Sequence, residues 1–399
     1  MQIDDLSISQ ARQPSTMMLR SLLGAAMALP MLVFYAIGAL GPYLVADLQV
    51  PEHWLGYLTM SAFALAALLS LWAGALVDRL GGRRALGLLF GICALAYGLA
   101  GLLPGFVGLV LALAVCGAAQ AMANPATNLL IAEHLPVAER AASVGFKQAG
   151  VQVSALCAGL LLPLLAQHLG WRQALVLFAP MALLLGMIAL RHLPALQTCG
   201  ASVPIALQRP SPGLALLMAV QCCVAIALSS FVTYLGVYAR AQGVPVALAG
   251  TLVAVFGLMG ILARVLLTPM AARMKDESLM LGVLCVLAAL AVFSTSLAGL
   301  QSWAWLWIGS IGMGLTAVAT NAVAMGMVLR DRTFGPPAVS ASLVSVGFFA
   351  GFALGPPVFG VLLRQAQGYG LVWKAMIAVL MLGALLCLWL GRYRRADSL

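Results

Sequence analysis

Charge is what this chain has least of. Asp, Glu, Lys and Arg make up only 8% of its 399 residues, while 63% are hydrophobic. Soluble domains carry about a quarter charged residues, so an ordinary water-facing surface is excluded and lipid must be the solvent for most of the chain. Carboxylates are missing from the middle of every long apolar stretch; Asp47, Asp78 and Glu133 fall at stretch ends. The histidines His53, His134, His168 and His192 also sit at ends or in loops, and the cysteines, including the adjacent Cys222 and Cys223, lack metal-ligand spacing. These absences argue against a metal, a haem or any other cofactor. An intramembrane enzyme would need a nucleophile, a metal cluster or an acid–base pair at membrane depth, and a sensor would need a soluble domain; neither is legible here.

What is present is a series of apolar blocks of about twenty residues or more, the length that crosses roughly 30 Å of hydrocarbon as a helix. A barrel would instead show alternating segments of about ten residues. The blocks predict an all-α membrane protein with twelve transmembrane helices near 19–45, 54–77, 85–103, 106–132, 142–167, 171–190, 214–239, 247–271, 278–299, 303–328, 338–363 and 371–391. The first block is too long for a cleavable signal segment. Between 191 and 213 the pattern breaks at Pro194, Pro204, Pro210 and Pro212. This stretch reads as a linker between two six-helix bundles, 1–190 and 214–399.

The net charge of +10 would suggest nucleic acid in a soluble protein. Here it reports topology, and no nucleic-acid role is expected. Alternate loops on one side carry fifteen Lys and Arg residues, among them Arg20, Arg79, Arg83, Arg84, Arg394 and Arg395; the other side carries Arg172, Arg240, Arg364 and Lys374. The positive-inside rule then places both termini and the linker in the cytoplasm, in the inner membrane of a bacterium.

The two halves repeat one another. An offset of 194 pairs Pro51 with Pro245, Gly56 with Gly250 and Arg79 with Arg273. Gly117 precedes Asn124 by seven residues, as Gly314 precedes Asn321, and nine residues beyond each asparagine stands a charged residue, Glu133 or Arg330. The drift from 194 to 197 fits a duplicated, pseudo-symmetric six-helix unit, an arrangement that holds substrate near the membrane midplane between the repeats.

After the second block the sequence reads Gly74-Ala-Leu-Val-Asp78-Arg79-Leu-Gly81-Gly82-Arg83-Arg84. It resembles the signature loop of the major facilitator superfamily, G-x-L-x-D-R-x-G-x-R-R, with every specified position filled. Gly74 is expected to permit close helix approach, Gly81 and Gly82 a tight turn, and the arginines contact with anionic head groups. The resemblance implies the two-bundle fold, transport by alternating access, and a gating latch made by Gly74, Asp78, Arg79, Gly81, Arg83 and Arg84. In the second half Ala272 stands where Asp78 would fall, so the matching latch is degraded. Two drug-antiporter features are lacking: Leu113 occupies the place of an arginine four residues before Gly117, and the fifth span reads Gly145-Phe-Lys147-Gln148-Ala-Gly150 rather than G-P-x-x-G-G.

Two charges fall inside spans, Lys147 in the fifth and Arg264 in the eighth. An ionisable group at membrane depth costs about 2.5–3.5 kcal/mol on insertion scales, so each is a candidate binding residue. With no carboxylate at depth, the simplest partner for them is an anionic substrate. Arg264 also resembles the carboxylate-binding arginine of the monocarboxylate and oxalate branches of the superfamily, and a planar guanidinium offers a carboxylate two parallel donors. The alternatives are a structural Arg264 bonded to backbone carbonyls, and a Lys147 that snorkels to the cytoplasm or pairs with Glu133 or Glu139. Gln120, Asn124 and Asn128 recur every four residues on one helix face; Thr316 and Thr320, next to Asn321, do the same on the tenth span. The family's cavity is lined by spans one, four, seven and ten, which adds Tyr35 and Tyr234. The sequence thus predicts a monomeric secondary transporter of a small organic anion such as a carboxylate, coupled to a proton or a counter-anion. A multidrug exporter is the alternative.

Overall fold

The computed structural model describes residues 15–194, 209–274, 276–299, 302–366 and 368–397. Most of the 191–213 linker, together with Arg12 and Lys275, lies outside these residues. Among the described residues twelve α-helices follow in order: α1 (Thr16–Leu48), α2 (Leu55–Leu102), α3 (Gly105–His134), α4 (Val137–Leu169), α5 (Trp171–Val176), α6 (Phe178–His192), α7 (Pro212–Ala241), α8 (Val246–Ala272), α9 (Glu277–Ser296), α10 (Ala304–Arg330), α11 (Pro337–Ala366) and α12 (Tyr369–Asp397). Eleven helical segments among the described residues are long and apolar enough to cross a membrane, α5 and α6 together forming one of them. Local chemistry sets the helix starts. Ser15 Oγ accepts from the Met18 amide and Ser211 Oγ from that of Leu214, with Pro212 in the first turn.

Where two spans are predicted, at 54–77 and 85–103, α2 (Leu55–Leu102) is two helices that meet at a kink. Its continuity is broken at Gly81, whose φ of 74° and ψ of 156° lie in a region open almost only to glycine. Gly82 beside it leaves room for α3: a Cβ there would lie 2.6 Å from Leu130 Cδ2 and 2.8 Å from Glu133 Oε2.

The polarity is that of a protein dissolved in lipid. α6 turns Leu183 and Leu184 outward at 53% exposure, and α12 exposes Leu385 and Trp389 at 55% and 60%. The polar side chains Gln120, Gln221, Thr233 and Lys147 are buried instead. Without a hydrophobic drive between spans, small residues bring backbones together. Gly38 of α1 meets Val232 of α7, and Gly236 of α7 meets Gly38. α1 also packs on α4, α2 on α3 and α11, α4 on α8, α8 on α10, α9 on α10 and α12, and α7 on α11 and α12.

Residues paired by the internal repeat occupy like places. Pro51 precedes the short 3₁₀ turn into α2, and Pro245 precedes α8. Gly56 abuts the Pro356 carbonyl of α11, and Gly250 abuts the Gly159 carbonyl of α4. Gly117 of α3 meets Ala62 of α2 as Gly314 of α10 meets Phe256 of α8. Glu133 lies against Gly82 of α2, while its counterpart Arg330 pairs with Glu277 at the start of α9. The charge is reversed but the helix end is the same.

Candidate functional site

Lys147 lies on α4 at 1% exposure, facing the 124–128 turn of α3. Its Nζ is 2.7 Å from Thr127 Oγ1, 2.7 Å from Asn128 Oδ1 and 3.4 Å from Asn124 Oδ1. Residues three and four apart share a helix face, which is why one turn of α3 supplies all three acceptors. An ammonium has three N–H donors, and here each finds an oxygen. The lysine neither snorkels nor pairs with an acid, because its candidate acids are engaged elsewhere. Glu139 holds Arg20 at 3.0 Å, and Glu133 lies against Gly82, 3.9 Å from His134.

Arg264 on α8 is different. Its Nη1 reaches Gln148 Oε1 of α4 at 3.2 Å, and Gln148 Nε2 in turn reaches Asn124 Oδ1 at 3.3 Å. Asn124 therefore joins both cations through one network. The Arg264 Nε is buried without a partner, as is Gln152 Oε1 one helical turn along α4. Tyr35 of α1 stands beside Arg264 and next to Gln152. Gly260, one turn before Arg264, makes space for Gln152: a Cβ there would lie 2.5 Å from Gln152 Oε1. Among the described residues neither Lys147 nor Arg264 has a carboxylate at ion-pair distance. A buried polar group left unmet costs about 1–3 kcal/mol, more when charged. A fixed guanidinium with unmet donors is chemically the complement of an anion.

The other residues singled out in the sequence divide. Asn124, Asn128 and Tyr35 join the cationic network. Gln120 lies one turn from Asn124 on α3, its Oε1 buried and unpaired. Tyr234 lies elsewhere, with its hydroxyl 2.8 Å from the Pro356 carbonyl and 3.3 Å from that of His53. There it links α7 to α11 and to the turn before α2. Thr320 bonds back to Ala317 within α10 at 2.7 Å, and Asn321 is half-buried beside it. Neither joins the cations.

Sequence reasoning gave no role to Gln148, Gln152 or Thr127. The signal was present, since Gln148 and Gln152 lie four apart beside Lys147 and Thr127 adjoins Asn128. It also gave none to a group of rings from three helices. Phe34 of α1 lies 5.5 Å from Phe63 of α2 and 5.1 Å from Phe352 of α11, centroid to centroid; Phe63 lies 4.5 Å from Phe352 and 6.0 Å from Phe349. No local spacing marks a cluster assembled from such distant segments.

In the Gly74–Arg84 loop, Asp78, Arg79 and Arg84 are exposed and Arg83 is half-buried. The close approach expected at Gly74 is not found, since a Cβ there would meet nothing within 4 Å. The tight contact is made at Gly82, because the break at Gly81 turns the chain onto α3.

A family model described as the Major Facilitator Superfamily matches residues 22–335. The fold is similar to a solved structure, a bacterial homologue of the human lysosomal transporter Spinster in an inward-facing and occupied conformation. That match has a TM-score of 0.74 at 18% identity and covers 94% of this chain and 96% of the other. A shorter likeness, 34% identical over 121 residues, is to an Arabidopsis thaliana protein named "Probable anion transporter 3, chloroplastic". It covers 29% of this chain and 23% of that relative's length.

Proposed function

Since the chain belongs to the major facilitator superfamily and is a multi-pass membrane transporter rather than an enzyme, we propose that it carries a small organic anion, a carboxylate above all, by alternating access. The observation that carries this reading is the half-buried Arg264, which has one hydrogen bond, to Gln148, a buried and unmet Nε, and no carboxylate in reach among the described residues. Arg264 would clamp the carboxylate. Lys147, held by Asn124 and Asn128, would add positive potential through the shared network, with Tyr35 and Gln120 shaping the site. Tyr234, Thr320 and Asn321 would act at the edges of the path. The name of the Arabidopsis relative points toward anions, over the stretch that matches.

The same reading extends to architecture. Splitting α2 at Gly81 gives twelve spans, in bundles 1–190 and 214–399 joined by 191–213. The arginine-rich ends and both termini would face the cytoplasm of a bacterial inner membrane, and the monomer would suffice for transport. Gly74, Asp78, Arg79, Gly81, Arg83 and Arg84 would form the cytoplasmic latch, with Asp78 and Arg79 finding partners when that side closes. With no carboxylate at membrane depth to carry a proton, coupling would be by counter-anion exchange or by a proton entering with the cargo.

Uptake into proteoliposomes across a panel of carboxylates tests the assignment. Saturable uptake that Arg264→Ala abolishes is the expected result. Full uptake by Arg264→Ala at limiting substrate would remove the clamp, and transport of neutral compounds indifferent to Arg264 would favour a drug exporter.

A further inference from the structure

The internal repeat makes two helix seams comparable residue by residue. The 194-residue offset pairs Gly56, Phe63 and Ser70 with Gly250, Gly257 and Arg264; the 197-residue offset pairs Gln148, Gln152 and Gly159 with Ser345, Phe349 and Pro356. In the α4–α8 seam Gly250 meets Gly159, Gly257 meets the Gln152 backbone, and Arg264 meets Gln148. In the α2–α11 seam Gly56 meets Pro356, Phe63 meets Phe349, and the pair equivalent to Arg264 and Gln148 is Ser70 and Ser345. Both serines bond back to their own helices, to Ala66 at 2.6 Å and Ala341 at 2.9 Å. Where one seam carries the Arg264–Gln148 pair the other carries two serines, and where one carries Gly257 against Gln152 the other carries Phe63 against Phe349, so the first seam is polar and cationic and the second uncharged with paired rings.

α1 touches both seams through adjacent residues. Tyr35 stands beside Arg264 and Gln152, while its neighbour Phe34 packs on Phe63 and Phe352. We propose that the cargo is amphipathic. Its carboxylate would lie on the α4–α8 side at Arg264, and an aryl or alkyl body would lie against Phe34, Phe63, Phe349 and Phe352. This rests on the anion reading and narrows it. An anion polar all round would strand its remaining acceptors against rings that offer no donor, whereas a ring or chain gains apolar contact and ring–ring geometry there.

The test is competition for proteoliposome uptake by carboxylates of equal charge: phenylacetate and 3-phenylpropionate against acetate and oxalate. It is run on the wild type, Phe63→Leu, Phe349→Leu and Arg264→Gln, with monodispersity confirming the fold of each. The expected result is that the aryl acids win in the wild type. Either leucine variant should raise the KM for aryl acids about tenfold and leave acetate unchanged, the range that differential pocket contacts supply. Acetate or oxalate competing as well as the aryl acids, or both leucine variants weakening all acids equally, overturns the amphipathic cargo and leaves the anion reading standing. No uptake of any acid, or uptake of neutral 2-phenylethanol unaffected by Arg264→Gln, overturns both.

Discussion

Lys147 and Arg264 are both cations within membrane-spanning helices, the first buried and the second half-buried, and both touch the Asn124–Gln148 network, yet their surroundings differ in kind. Three neutral oxygens from one turn of α3 meet the three donors of the lysine. The arginine spends one donor on Gln148 and buries another with nothing to meet it. Two cations at membrane depth can therefore differ in how far their hydrogen-bonding capacity is met. Lys147 carries its own solvation shell as part of the fold. Arg264 keeps an unmet Nε, which is why the proposed anion is placed there.

That comparison is broken most directly at Arg264. Replacement by Met should cut kcat/KM for carboxylate uptake at least about a hundredfold, since two charge-assisted hydrogen bonds at about 1.5 kcal/mol each are lost. The thermal midpoint should stay level or rise, because an under-paired, half-buried charge has been removed. Lys147→Met should do the reverse. Three oxygens lose their donor, at about 1–3 kcal/mol for each buried group left unmet, so the melting temperature should fall by several degrees while uptake drops about tenfold or less. Thermal scans of the two purified variants side by side decide this, and equal losses of stability would erase the distinction.

Next in size is Arg264→Lys, which keeps the charge and removes the planar fork. About a tenfold rise in KM is expected, because a lysine cannot make two parallel bonds to a carboxylate. An unchanged KM would make Arg264 a point charge like Lys147.

The smallest effect belongs to the arginine-rich ends. Asp331 is partly buried, which works to raise its pKa, but the Thr333 amide and hydroxyl and Arg394 outweigh this and hold the carboxyl below its ordinary value. At Asp276 burial acts the same way and is outweighed by Arg395 and Ser278. A carboxyl depressed in the folded state adds stability above its unfolded pKa of about 3.9. That stability is lost only as pH falls through the folded value. Melting temperature should thus be insensitive to these groups from neutral pH down to about pH 4, then decline, and Asp331→Asn should flatten the decline. Arg264-dependent binding should ignore the same substitution.

Much of this was legible in the sequence, for physical reasons. A span must satisfy its backbone internally, so the all-helical membrane architecture follows from apolar run length, while the structure has eleven membrane-crossing helical segments among the described residues against the twelve spans expected. The Gly81 break is written as Gly81-Gly82. Lys147 and Arg264 stand out because charge inside such runs is rare. What spacing could not show is which cation was already satisfied. That depends on α3 meeting α4 in the register that brings Thr127 and Asn128 to Lys147, a tertiary fact. Tyr234 illustrates the reverse: on helix position it belongs with the cavity, but it is drawn to the Pro356 and His53 carbonyls, whose positions depend on α11 and α2. The aromatic wall was equally hidden, being built from α1, α2 and α11.

The central claim is that Arg264, and not Lys147, holds the anion. It is tested most directly by the ligand-induced thermal shift of purified protein, read with phenylacetate and acetate on the wild type, Arg264→Gln and Lys147→Met. Saturating ligand stabilises by about 2.7 kcal/mol at a hundred times Kd. The account predicts that the shift disappears in Arg264→Gln and persists, at higher ligand concentration, in Lys147→Met. A shift retained in Arg264→Gln and lost in Lys147→Met would contradict it.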